Sequence, residues 1–77
     1  MEPTPVPIRG DLILLGQLLK IIDIAETGGN AKEILAGGHV EVNGEPEDRR
    51  GRKLHPGDVV AIDGYRKWII EGSEVAN

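Results

Sequence analysis

Within five residues, Arg49-Arg50-Gly51-Arg52-Lys53, the chain places four cations around one glycine. Like charges held this close repel one another, so a loop that only joins two elements gains nothing from them. Guanidinium groups grip phosphate oxygens in pairs, and a glycine lets the backbone come close to a partner. The chemistry suggested is contact with a phosphate backbone. The plain alternative is a solvated loop neutralised by Glu45, Glu47 and Asp48 just before it. A second anion-seeking feature is Thr27-Gly28-Gly29-Asn30. A helix starting there would offer free N–H groups and the positive end of its dipole. Helix capping alone would also account for it.

Other chemistry finds little support. The chain has no cysteine, which excludes a disulfide framework and a thiolate metal site. His39 and His55 stand 16 residues apart with no ligand spacing around either, and read as a hairpin residue and a turn residue. Thr4 and Ser73 lie near the two ends, in an arm and a tail. Gly28-Gly29 lacks the further glycines and the Lys-Ser/Thr of a nucleotide loop. No catalytic set, metal site or cofactor is expected, and the chain is not read as an enzyme. Tyr65 and Trp68 are the only aromatics. With no phenylalanine to fill the core, Trp68 reads as packing beside Ile70 rather than as a base-stacking platform.

The elements that must position the cations follow from pattern. Leu15, Leu18, Leu19 and Ile22 recur at helical spacing, with Lys20 on the other side. Asp23 to Glu26 connect to a second helix that opens at Thr27, a residue suited to capping, and carries Ala31, Ile34 and Leu35 inward. Gly37-Gly38 stops it. Val40 and Val42 then alternate with polar residues as on a half-buried strand, and Asn43-Gly44 predicts a tight hairpin. Glu45-Pro46-Glu47 is the return arm, confined to an edge by its proline. Pro56-Gly57 predicts a turn, Val59–Ile62 a strand, Asp63-Gly64 a second hairpin turn and Tyr65–Glu71 a last strand. Before the first helix, residues 8–14 read as a first strand, which periodicity alone does not separate from a helix start. Pro3, Pro5 and Pro7 make residues 1–7 an extended arm, and residues 72–77 read as a flexible tail. The expected fold is α+β, with two short helices, in outline a helix-turn-helix, on one face of a small, mostly antiparallel sheet of about four to five strands. Residues 8–71 form its single domain.

Seventy-seven residues hold one small core. No apolar run approaches the roughly 18 residues of a membrane span, and the first residues lack the make-up of a signal peptide. The expectation is a cytoplasmic protein with no membrane partner. The net charge of −4 argues against nucleic acid at first sight. Its distribution does not. Residues 1–48 carry 3 Lys/Arg against 9 Asp/Glu, a net of −6, whereas residues 49–77 carry 6 against 4, a net of +2. For a ligand held within a Debye length of about 8–10 Å, the local field decides.

In order and spacing these pieces resemble the RNA-binding domain named after ribosomal protein S-four, the alpha-L RNA-binding motif. Ala31, Lys32, Gly38, His39, Val40, Val42, Asn43 and Gly44 stand where that family has its short helix, glycine and Val-x-Val-Asn-Gly ending. Leu54-His55-Pro56-Gly57-Asp58-Val59-Val60 matches its Leu-x-Pro-Gly-Asp-x-Val turn and strand. Ile8-Arg9-Gly10, Leu15-x-Gln17-x-Leu19-Lys20 and Glu47-x-Arg49-Arg50-Gly51-Arg52-Lys53 resemble small bacterial proteins made of this domain alone. The match covers roughly residues 8–70.

The resemblance implies a monomeric, non-catalytic module that binds ribosomal or other structured RNA, with the ribosome or its assembly components as further partners. Carried over by position, Lys20 and Lys32 would face phosphates. Thr27, Gly28, Gly29 and Asn30 would present the second helix start, and Arg49, Arg50, Arg52 and Lys53 would extend the patch. Gly28 stands where members often carry Arg, and Ala36 and Glu41 where they often carry Lys. This shifts weight toward residues 49–53. Two rival readings are an adaptor that keeps the fold without RNA, and a β-grasp sulfur carrier. The carrier needs a C-terminal Gly-Gly, whereas this chain ends Glu74-Val75-Ala76-Asn77.

Overall fold

The structure, a computed structural model, describes residues 2–64 and 66–72. Ser73, the tail beyond Gly72 and Tyr65 therefore lie outside the described residues. The elements run β1 (Thr4–Pro7), β2 (Ile13–Leu14), α1 (Leu15–Ile21), α2 (Gly28–Ala36), β3 (Val40–Val42), β4 (Glu45–Pro46), β5 (Lys53–Leu54), β6 (Val59–Ile62) and β7 (Arg66–Glu71). Five strands form one sheet in the order β1-β7-β6-β3-β4, and β2 pairs with β5 in a separate two-stranded sheet. Every pairing is antiparallel except β1 with β7. This is the expected α+β architecture.

The leucine pattern sets the helix faces. Leu15, Leu18 and Leu19 of α1 and Ala31 and Leu35 of α2 are buried together with Val6, Val40, Val42, Val60, Ile62 and Ile70. Trp68 is half-buried against this cluster, as its reading beside Ile70 requires. Its ring also lies 5.8 Å from the Arg66 guanidinium carbon. Alternation along the strands puts Glu41 and Glu71 on the opposite face of the sheet.

The expected hairpins form. Asn43 and Gly44 adopt φ of 53° and 86°, the double positive pair that a two-residue turn between twisted strands requires. The Asn43 side chain then ties this turn to the next one. Its Nδ2 donates to Asp58 Oδ1 at 3.1 Å, and its Oδ1 accepts the Val59 N–H at 2.9 Å. Burial pushes the Asp58 carboxyl up, but hydrogen bonds from the His55 N–H and the Asn43 amide outweigh it, and the carboxyl stays below its ordinary range.

The first fourteen residues differ from expectation. A single strand over residues 8–14 is not formed, because the chain turns at Gly10-Asp11. Only Ile13–Leu14 is extended and paired, with Lys53–Leu54. Part of the proline-rich arm is instead strand β1, with Val6 buried opposite Ile70. Prolines are tolerated here because β1 is an edge strand, so their missing N–H groups can face solvent.

Candidate nucleic-acid interface

The basic loop is organised by the residue that precedes it. Strand β4 delivers the chain to Glu47, whose N–H bonds Val40 O at 3.0 Å and which is only 8% exposed. Its carboxylate accepts from Arg49 Nε at 2.9 Å, Arg49 Nη2 at 3.2 Å, the Arg49 N–H at 3.1 Å and Arg52 Nη1 at 2.7 Å. These bonds hold the carboxyl at about 2, far below its ordinary 4.5. The Glu47 carboxylate in turn raises the pKa of Arg49. Arg49 and Arg52 are thus both paired with Glu47, Arg49 with its side chain still 70% exposed. Arg50 and Lys53 make no salt bridge among the described residues and are exposed.

The loop backbone is stitched onto α1. Arg52 O accepts the Leu15 N–H at 2.9 Å, and Arg50 O accepts the Gly16 N–H at 3.0 Å. Two donors of the first turn of α1, which a helix leaves without partners, are filled by the protein itself. The start of α2 differs. Thr27 Oγ1 accepts the Asn30 N–H at 3.1 Å, and Asn30 Oδ1 accepts the Glu26 N–H at 3.1 Å. Both side chains close the turn, each with one oxygen engaged in capping. The N–H groups of Gly28 and Gly29 have no hydrogen-bond acceptor among the described residues. The dipole of α2 therefore opens at two glycines.

Between the two helices lies a shallow groove of about 310 Å³, lined by Leu14, Gly16, Gln17, Lys20, Gly28, Ala31, Arg50 and Gly51. Arg50 crosses it, its Nη1 making a long contact of 3.5 Å to Gly28 O. Of the residues singled out by sequence, the groove brings together Lys20, Gly28 and Arg50. Gly29 is exposed on the same first turn of α2. Lys32 on α2 and Lys53 on β5 are exposed but do not line the groove, Thr27 and Asn30 act as caps, and Arg49 and Arg52 pair with Glu47. Sequence reasoning cast Glu47 as one of three neutralising acids and missed it as a buried organiser. The available signal was its position, two and five residues ahead of the arginines it binds.

The histidines stand elsewhere. His39 Nδ1 lies 2.8 Å from Asp63 Oδ1 beside the second hairpin, and His55 Nδ1 is 3.9 Å from Asp58 Oδ2. Neither lines the groove. Among the described residues, no group of three or more His, Asp or Glu side chains is placed to hold a metal ion, and no helix is long and apolar enough to cross a membrane.

Paired helices, an Asn-Gly hairpin closing on them and a cationic loop sewn to the first helix define a small α+β domain of the alpha-L type. The chain belongs to the S4 domain family, which it matches over residues 6–71. It is 51% identical over 66 residues to a protein of Bacillus subtilis (strain 168) described as a probable ribosome maturation protein, RlbA, with 86% of this chain and 93% of that one covered.

Proposed function

We propose that this chain is a non-catalytic module that binds structured RNA, ribosomal RNA above all, and acts as a cytoplasmic monomer during ribosome maturation. One observation carries the reading: Lys20, Arg50 and the open start of α2 at Gly28 converge on a single groove. Each is a phosphate ligand of a different kind, namely an ammonium, a guanidinium and backbone N–H donors. Family membership and the likeness to a probable ribosome maturation protein of Bacillus subtilis support the same reading. Lys32, Gly29 and Lys53 extend the contact along the exposed surface. Arg49 and Arg52 serve it by shaping the loop, and Thr27 and Asn30 by shaping the helix start.

Filter binding to ribosomal RNA fragments across a salt series tests this. Replacing Lys20 and Arg50 together by alanine is expected to weaken binding and to lower the slope of log K against log salt by about 2. An unchanged slope would move the binding face elsewhere. Co-sedimentation with ribosomal particles that persists in this variant would favour protein contacts, the adaptor reading.

A further inference from the structure

Phosphate binding leaves part of the groove unexplained. Its floor includes Leu14 and Ala31, and it is widened by Gly16, Gly28 and Gly51. A Cβ at Gly16 would stand 3.3 Å from Arg50 Cβ, and one at Gly28 would stand 3.5 Å from Arg50 Nη1. The Arg50 side chain therefore runs from one helix to the other, and its flat guanidinium forms a wall of the groove. Gln17 lines the same space. Its Oε1 is fixed by the Leu14 N–H at 3.0 Å, which orients the amide and leaves its Nε2 donors without a partner among the described residues.

A phosphate seeks cations and N–H donors and has no use for an apolar floor. A fully paired helix keeps its bases stacked inside and has no flat apolar group to place there. An unpaired base has such a face, a hydrogen-bonding edge, and a phosphate on either side. Recognition of RNA commonly takes this form, with a splayed base stacked on an arginine plane and read along its edge. The volume of about 310 Å³ suits one heterocycle.

We infer that the groove between α1 and α2 seats a single unpaired nucleobase of the bound RNA. Arg50 stacks on it, the Gln17 amide donates to an acceptor on its edge, and Lys20 holds an adjoining phosphate. The inference rests on the RNA-binding reading above and adds to it a preference for bulged or single-stranded sites.

Three RNA duplexes of equal length test it: one fully paired, one with a single-nucleotide bulge, and one with the bulged nucleotide made abasic. The bulged duplex is expected to bind about tenfold more tightly than the other two, the gain typical of stacking one base. A 2-aminopurine at the bulge should change its fluorescence on binding. Gly51→Val places a branched side chain at the groove where a Cβ meets nothing within 4 Å, so the fold has room for it. In this variant the bulged and paired duplexes are expected to bind within about twofold of one another. Equal binding of all three RNAs by the unaltered protein overturns the base seat while leaving RNA binding in place. So does a preference that survives in Gly51→Val. No binding to any of them at low salt removes the RNA-binding reading and the seat with it.

Discussion

At the scale of single residues, Glu47 decides what the cationic run can do. Four cations so close together repel one another; a buried carboxylate instead pairs with two of them, Arg49 and Arg52, while the loop backbone bonds to the start of α1. Removing that charge leaves the guanidinium groups facing a neutral amide. Glu47→Gln is expected to cost about 2 kcal/mol in urea unfolding at neutral pH, as for a lost charge-assisted hydrogen bond. The pH dependence has a definite sign. The carboxyl is held at about 2 in the folded chain against an ordinary 4.5, so the unfolded chain takes up the proton first. Its stabilisation is complete above about 4.5 and drains away as pH falls toward 2. The stability gap between the two proteins should close over that window. A gap that stayed constant to low pH would mean that Glu47 acts by packing and not by charge. Asp58, also held below its ordinary range, adds a loss of the same sign in both proteins.

At the scale of elements, the turns carry the fold. Gly44 sits at φ 86°, which a β-branched residue resists, so Gly44→Val is expected to lower the melting temperature by several degrees, about 1–2 kcal/mol. Asp23, at the end of α1, also holds a positive φ of 62°. Glycine carries no Cβ penalty there, and Asp23→Gly is expected to raise stability by about 0.5 kcal/mol; a lowered melting temperature would show that the carboxylate has a role of its own. These elements show why parts of the chain were legible before the structure. The Thr27 cap, the leucines of α1 and the two positive-φ dipeptides are local signals, complete within a few residues. Strands β2 and β5 are two residues each, too short for any alternation to show. Their pairing, the docking of β1 and the burial of Glu47 are decided by segments far apart in sequence. The groove was hidden for the same reason. Lys20, Gly28 and Arg50 were each singled out, but their meeting depends on two loop carbonyls bonding to the start of α1. Gly51 was legible as a point of close approach and Gln17 only as part of the family pattern, and neither could be placed in a groove without that meeting.

At the scale of the whole molecule, an acidic chain is asked to hold a polyanion. For two of its carboxylates the fold reconciles these by separation, although Glu33 lies on α2 itself. Helices and basic loop lie on one side of the large sheet, whereas Glu41 and Glu71 project from the other, across a layer on the order of 10 Å thick. That distance is about one Debye length at physiological salt, so those carboxylates should hardly be felt in the groove. Neutralising them is expected to matter little although it halves the net charge of −4. The pair Glu41→Gln and Glu71→Gln should tighten RNA binding by less than about twofold at 0.15 M salt, whereas Arg50→Ala alone should weaken it about tenfold. The contrast should fade as salt is lowered, because screening retreats and the far carboxylates begin to repel the RNA. If the double neutralisation rivalled Arg50→Ala at physiological salt, affinity would be governed by total charge, and the groove would lose its claim to be where the RNA is held.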